Sequence, residues 1–471
     1  MSAEDAGKTP REHCGLVGVY GVEDAVSVVY QGLFALQHRG QEGAGVSISD
    51  EQQIRSFTGT GLVNDVFRDR DLEKYPGHIG IGHVRYSTTG EPRIQNIQPL
   101  VAECADGYWC IAHNGNLTNA KTLRKMYQDS GAIFQTSTDS EILVHLLADP
   151  MYRLRPRRVE RALNELEGAY CFLLMTKDRI MAARDSQGFR PLSIGRLESG
   201  YVVASETCAL ARSGAEFLRD VAPGEVVTID ADGIHSSMFD EREGAHAQCV
   251  FEHVYFAHPD SYLFGKNVYT VRHQYGERLA QEYPVDADVV VPIPDSGNFA
   301  ALGYSRESGI PLEFGFIKNH YVGRTFIMPH SSERKKSIDM KLAVLPEVVK
   351  GKRVIAIDDS IVRGNTMARR VDMLREAGAT EVHLRVSSPP IRCPCFFGID
   401  FPDPSELIAS ERTVEQMRQE LGADSLGYLS LDGLLSPFEH KDDFCTACFT
   451  GEYPVDVAQD QSKQMLEGER T

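Results

Sequence analysis

Residues 11 to 21 read REHCGLVGVYG: a thiol, Cys14, stands between a polar leader and an apolar, strand-like run. A cysteine there is either a packing residue, the commoner kind, or a nucleophile. Four more short, polar, glycine-rich stretches fall at the expected ends of strands or helices: ALQHRGQEGAG, GHVRYSTTG, IAHNGNLTN and TSTDSEILVH. Hydrolysing a glutamine side chain needs a nucleophile, a base, an oxyanion hole, and partners for the amino acid's carboxylate and ammonium. Cys14 supplies the thiol. Its α-amine, free only once the leader is removed, has a reference pKa of about 8 and suits the base. Asn114 and the backbone N–H of Gly115 suit the oxyanion, Arg85 a carboxylate, and Asp139 an ammonium. Singly, each has a plainer reading: Arg85 as a surface ion pair, Asn114-Gly115 as a hairpin turn, Asp139 as a helix cap.

A second chemistry is written in RVIAIDDSIVRGNT, residues 353 to 366. An apolar strand ends in paired acids, and a small polar loop with Gly364 leads into a helix. Loop N–H groups with the hydroxyls of Ser360 and Thr366 suit a phosphate at a helix N-terminus. Asp358 and Asp359 would repel a phosphate; they suit sugar hydroxyls, with or without a divalent cation. A third is the C-x-x-C pair Cys445 and Cys448 in DFCTACF, whose spacing lets two sulfurs reach one metal centre. Zinc, redox chemistry or an iron–sulfur cluster would each fit that pair, with Cys249, Cys393 and Cys395 as candidates for further ligands.

The elements that must position these groups divide the chain in two. Up to about residue 240, short runs such as GLVGVYGV, GHIGIGHV, YWCIAHN, AYCFLLMT and EVVTID alternate with turn signals. They predict antiparallel sheets, covered by helices at 24–39 and 139–149, with a hairpin in TIDADGIHSS. EREGAHAQ, 241–248, reads as a linker. Beyond it, ADVVVPIP precedes NFAALGYSRESG, and RVIAIDDS precedes TMARRVDMLREAGA and EVHLRVSS. These are βαβ units, implying a parallel sheet with its site at the carboxyl ends of the strands. The tail after Pro454 reads as frayed helix or disorder. The net charge of -18 argues against general nucleic-acid binding, and no apolar run is long enough to span a membrane. Ten cysteines without a secretory signal point to a cytoplasmic chain with thiols, metal ligands or a nucleophile rather than disulfides.

Two family resemblances follow from these motifs. RVIAIDDSIVRGNT resembles the phosphoribosyl pyrophosphate (PRPP) motif of type I phosphoribosyltransferases. That likeness implies that Asp358 and Asp359 bind the ribose, that Ser360, Arg363, Gly364, Asn365 and Thr366 form the 5′-phosphate loop, and that one Mg²⁺ is held by Ser296, Asp358 and Asp359. VPIPDSGNFAA then implies a pyrophosphate loop at Asp295, Ser296 and Gly297, and FIKNHYVGRTFI a mobile lid bringing Lys318, Tyr321 and Arg324. CGLVGVYG with the four glycine-rich stretches resembles the N-terminal-nucleophile glutamine amidotransferases, which implies glutamine binding by Arg39 as well as Arg85 and Asp139.

Together the two halves are similar to the glutamine PRPP amidotransferase family from residue 14 to about 455. The resemblance implies an α-β-β-α glutaminase at 14–245 and a phosphoribosyltransferase at 246–471, with residues 1–13 a self-cleaved propeptide. It implies synthesis of phosphoribosylamine from glutamine and PRPP, feedback by purine nucleotides, and a dimer or tetramer. It also implies one 4Fe–4S cluster per subunit, structural in role, on Cys249, Cys395, Cys445 and Cys448, with Cys393 a spare and Cys104, Cys110, Cys171 and Cys208 in packing roles. Asn365, His320 and Asp339 depart from the usual threonine, arginine and arginine of that family. Glucosamine-phosphate and asparagine synthetases share only the first half, and PRPP-binding transcription regulators only the second.

Overall fold

The computed structural model describes residues 14–68, 72–86, 94–240, 246–319, 342–399 and 404–457. The leader, the tail beyond Val457 and the segment holding His320, Tyr321, Arg324 and Asp339 lie outside them.

The antiparallel half forms two sheets. One has seven strands, with Gly15–Tyr20 between Ile79–Arg85 and Tyr201–Ala204; the other has six, with Gly107–Leu117 beside Gly168–Met175. Leu16, Ile81, Cys110, Ala112, Cys171 and Leu173 are buried between them. The outer face of the first sheet is covered by helices Ala25–Ala35 and Thr207–Arg212, where Val29 and Leu33 meet Val17 and Val46. That of the second is covered by Ala120–Asp129 and Glu141–Ala148. Both sheets therefore have two apolar faces, which accounts for uniformly buried strands such as GLVGVY and GAYCFLLM. The layers run α-β-β-α, as expected. The TIDADGIHSS hairpin is present, closing at Asp230 and Gly233.

The other half is a four-stranded parallel sheet in the order Val289–Pro292, Arg353–Asp358, Glu381–Val386, Ser425–Tyr428. Helices Val268–Glu282 and Asn298–Ser308 pack on one face, and Asn365–Glu376 and Val414–Leu421 on the other. The functional stretches emerge at the carboxyl ends of the first two strands, where a parallel sheet leaves its backbone groups open to a ligand. Phe316–Lys318 and Leu342–Val344, the flanks of the expected lid, form a separate antiparallel ladder.

The halves meet in a mixed seam. Within the second half Gln248–Cys249 pairs in parallel with Phe444–Cys445, and across the seam the Phe189 and Phe397 rings stack 4.4 Å apart. Asn116 Nδ2 donates to the Phe396 carbonyl across the same seam at 2.9 Å.

Candidate active sites and cysteine centre

Cys14 lies one residue before the first strand, and the Gly15–Val84 register sets it beside Arg85. Its Sγ donates to the Tyr86 carbonyl at 3.5 Å. Burial pushes the thiol up to about 11; the Tyr86 backbone and the Arg85 charge offset only part of that. Arg85 is itself buried, so it is no surface ion pair; desolvation lowers its pKa, against the pull of Cys14, Glu42 and Asp139. The thiol thus needs a base to ionise at neutral pH.

Asn114 and Gly115 sit within the strand Gly107–Leu117, not in a turn. The Asn114 side chain is fully buried, and neither end of its amide has a partner among the described residues. Gly115 has φ +152°, and a Cβ there would collide with the Ala169 carbonyl. The backbone can approach its neighbour this closely only without a side chain. Asp139 is not the helix cap, since Ser140 holds that position. Its carboxylate accepts from the Leu117 N–H at 2.9 Å and lies 3.5 Å from His113 Nδ1. Burial works against its ionisation, but His113, Leu117 and Ser140 outweigh it and pull its pKa below the ordinary value.

Arg39 departs from expectation. It was expected to hold the glutamine, yet its Nη1 and Nη2 donate to Glu206 at 2.6 Å and to Glu252 at 2.9 and 2.8 Å. Its Nε donates to the Cys14 carbonyl at 3.2 Å. With both carboxylates already on its guanidinium and its side chain 0% exposed, it supports the nucleophile from beneath rather than meeting a substrate. Glu252 also holds Arg190 at 3.2 Å, and Arg190 donates to the Phe397 carbonyl. Sequence reading missed Glu206, Glu252 and Arg190. The signal was an acid inside an apolar run, in VVASETCALA and CVFEHVYF, since a buried carboxylate needs a partner. It also missed the layer behind Asp139, where Gln98 accepts from the His113 N–H and donates to Ser140.

At the sheet of the second half, Asp358 and Asp359 end the strand Arg353–Asp358 and are both buried. Burial raises the Asp358 pKa; Arg370, paired with its carboxylate, lowers it, and Asp359 raises it. Ser360 Oγ donates to Asp359. Gly364 turns the chain at φ +83° into the helix Asn365–Glu376, and Arg363 is ion-paired with Glu406. The loop Asp295-Ser296-Gly297 lies alongside: the Ile293 N–H donates to Ile357 at 2.8 Å, and a Cβ on Gly297 would strike the Ile357 carbonyl. Lys318 is paired with Asp295, both exposed. All the expected PRPP residues except Tyr321 and Arg324, outside the described residues, thus gather around two adjacent strand ends.

Cys249, Cys395, Cys445 and Cys448 converge at the seam, none in a disulfide. Burial raises all four thiols. Cys249, Cys395 and Cys445 each also act on Cys448 as neighbouring charges. Cys395 Sγ accepts from the Phe397 N–H at 3.4 Å. Cys393 lies nearby, its Sγ 3.3 Å from where a Cβ on Gly451 would stand and its N–H donating to the Cys448 carbonyl at 3.1 Å. Two buried and two partly buried cysteines with mutually unfavourable thiolates fit a centre that supplies positive charge.

A glutamine amidotransferase domain matches residues 83–212, and a phosphoribosyl transferase domain matches residues 266–388. The chain is 48% identical to the amidophosphoribosyltransferase of Bacillus subtilis over 95% of either chain. It is 48% identical to that of Methanocaldococcus jannaschii, covering 94% of this chain and 98% of that one. The solved B. subtilis glutamine PRPP amidotransferase complexed with ADP and GMP superposes with a TM-score of 0.90 at 46% identity, covering 96% of this chain and all of that one.

Two measurements check the geometry. Alkylation of Cys14 by iodoacetamide in the chain that retains its leader should be slow at pH 7, where roughly one thiol in ten thousand is ionised. It should accelerate as the pH rises toward 11, because only the thiolate reacts; a rate flat with pH would contradict the buried thiol. Arg39→Met should cost about 3–5 kcal/mol, the range for removing one partner of a buried ion pair. The readout is the denaturant midpoint of the first unfolding transition.

Proposed function

The chain belongs to the amidophosphoribosyltransferase family, and from that premise we propose how its residues divide the reaction. The enzyme hydrolyses glutamine to glutamate and ammonia. It transfers the ammonia to PRPP, releasing pyrophosphate and forming phosphoribosylamine, the committed step of purine synthesis.

Glutamine is opened in residues 14–245, after loss of residues 1–13. The α-amine freed at Cys14 takes the thiol proton, and the thiolate attacks the side-chain amide carbon. The Asn114 amide and Gly115 N–H hold the tetrahedral oxyanion, while Arg85 and Asp139 hold the substrate's carboxylate and ammonium. The protonated amine gives its proton to the departing ammonia, and water then hydrolyses the thioester to glutamate. The observation that carries this reading is Asn114. A buried amide left unpaired at both ends is costly, and an arriving oxyanion accepts from its Nδ2 and removes the donor's share of that cost.

PRPP is held in residues 246–471. Ser360, Arg363, Gly364, Asn365 and Thr366 take its 5′-phosphate, Asp358 and Asp359 its ribose hydroxyls, and Asp295, Ser296, Gly297, Lys318 and Arg324 its pyrophosphate. Ser296, Asp358 and Asp359 offer oxygens that suit one Mg²⁺, whose charge offsets that of the pyrophosphate. Ammonia attacks C1 of the ribose as the pyrophosphate oxygen leaves, a carbon from which water must be kept. Cys249, Cys395, Cys445 and Cys448 hold a 4Fe–4S cluster that ties three distant segments together. Purine nucleotides such as the ADP and GMP bound to the B. subtilis enzyme act as feedback inhibitors. The protein works in the cytoplasm as a dimer or tetramer; among the described residues no helix is long and apolar enough to cross a membrane.

Intact mass of the active enzyme should place its N-terminus at Cys14. Cys14→Ala should abolish glutamine-dependent product while keeping ammonia-dependent product; loss of both, or full activity with Met1 retained, overturns the assignment. Anaerobically purified protein should carry iron and acid-labile sulfide, with Cys445→Ser giving insoluble protein. Zinc in place of iron after iron-replete anaerobic expression would refute the cluster.

A further inference from the structure

Cys208, His258 and Asp260 play no part in either reaction, yet one potential ligand atom from each lies within 4.8 Å of the others. They line an open surface cavity of about 440 Å³ together with Tyr30, Phe34 and Arg212. Their convergence is fixed by the fold. Glu206 Oε2 accepts from the His258 N–H at 2.8 Å and from Ser261 Oγ at 2.6 Å. The Tyr262 N–H donates to Thr207 Oγ1 at 2.7 Å. Three hydrogen bonds thus pin the segment holding His258 and Asp260 to the turn of helix holding Cys208. His258 and Asp260 are half exposed and already paired with each other, whereas Cys208 is buried with its Sγ 3.7 Å from Glu206.

We propose that Cys208, His258 and Asp260 form a binding site for a zinc-class divalent cation, and that its occupant is felt at Cys14 through Glu206. Sulfur, imidazole and carboxylate are the zinc donor types; Mg²⁺ takes oxygens only. Three protein ligands leave the fourth tetrahedral position to water from the cavity. The thiol loses its proton to solvent on binding, so thiolate and carboxylate together neutralise the ion. Zinc–ligand distances of about 2.0–2.3 Å require the three groups to draw together. The exposed His258 and Asp260 side chains can move to do so. The link to the nucleophile is short. Glu206 accepts from the His258 backbone and from Arg39, which donates to the Cys14 carbonyl.

The test uses iron-replete, full-length protein titrated with ZnCl₂ against a chromophoric zinc chelator, with zinc and iron counted after gel filtration. Wild type should retain one zinc more than Cys208→Ser or His258→Gln. Losing a direct ligand should weaken binding by about ten-fold or more, the scale set by outer-shell losses, with iron content unchanged. Cobalt in place of zinc should give a thiolate-to-metal charge-transfer band that is absent in Cys208→Ser. Equal zinc in wild type and variants, or a band that persists, overturns the site. Zinc should also change the glutamine-dependent rate of wild type but not of Cys208→Ser, leaving the ammonia-dependent rate alone. An equal change in both proteins would mean that zinc acts on Cys14 directly, and an unchanged wild-type rate that the site is silent there; either overturns the link.

Discussion

Two arginines and two glutamates, all with side chains 0% exposed, lie where the halves of this protein meet: Arg39 and Arg190 with Glu206 and Glu252. Their formal charges cancel, which is the condition for placing four ions in the interior. Attraction repays desolvation only if every lone pair and proton is used, and here most are. Arg39 reaches the Cys14 carbonyl, Arg190 the Phe397 carbonyl, and Glu206 the His258 N–H and Ser261 hydroxyl. The nucleophile's own backbone is therefore hydrogen-bonded to a charge whose counter-ion, Glu252, belongs to the segment directly after Cys249. Removing one member would strand another, so the cluster makes the position of Cys14 depend on the docking of the second half.

Away from that cluster, the two sites share a construction. Each takes its reactive groups from strand ends or strand interiors held by a sheet with two apolar faces. Each uses one glycine to let backbones pass closer than a side chain allows: Gly115 against Ala169, and Gly297 against Ile357. The charge balance differs. Around Cys14, Arg85 is the cation beside Asp139 and Glu42. Around Asp358, Arg370 partly neutralises two acids that are otherwise forced together. The first environment favours a substrate carrying both signs, and the second a sugar whose hydroxyls donate.

Much of this was legible in the residues. The alternation of short strands, the Asp-Gly hairpin and the βαβ order fixed the layers, because burial on two faces writes uniform apolar runs. Asp358, Asp359 and Gly364 were legible because adjacent acids after a buried strand have few structural uses. Arg39 was misassigned for a physical reason: an arginine in a glycine-rich loop looks alike whether it meets a substrate or a buried carboxylate. Its partners lie 167 and 213 residues away, beyond any local pattern. The plainer reading of Asp139 as a cap fails by a single position, since a cap at Ser140 leaves the same residues in the same order. The choice between Cys393 and Cys395 could not be read at two-residue spacing; both are partly buried, and it is Cys395 that acts on the other three thiols.

The cysteine centre and the oxyanion strand share a boundary. Cys395 is followed by Phe396, whose carbonyl holds Asn116, and by Phe397, whose carbonyl holds Arg190. A Cβ on Gly398 would stand 3.2 Å from the Gly115 carbonyl carbon, so the turn leaving the cysteines lies directly on the oxyanion loop. A group binding the four sulfurs would fix the Cys395–Gly398 turn, and that turn limits how far Gly115 and Asn116 can shift. Rigidity at the sulfurs is thus transmitted by contact, over three residues, to the strand that holds Asn114. The strand that holds Asn114 is thus packed against a turn that begins at one of the four converging cysteines.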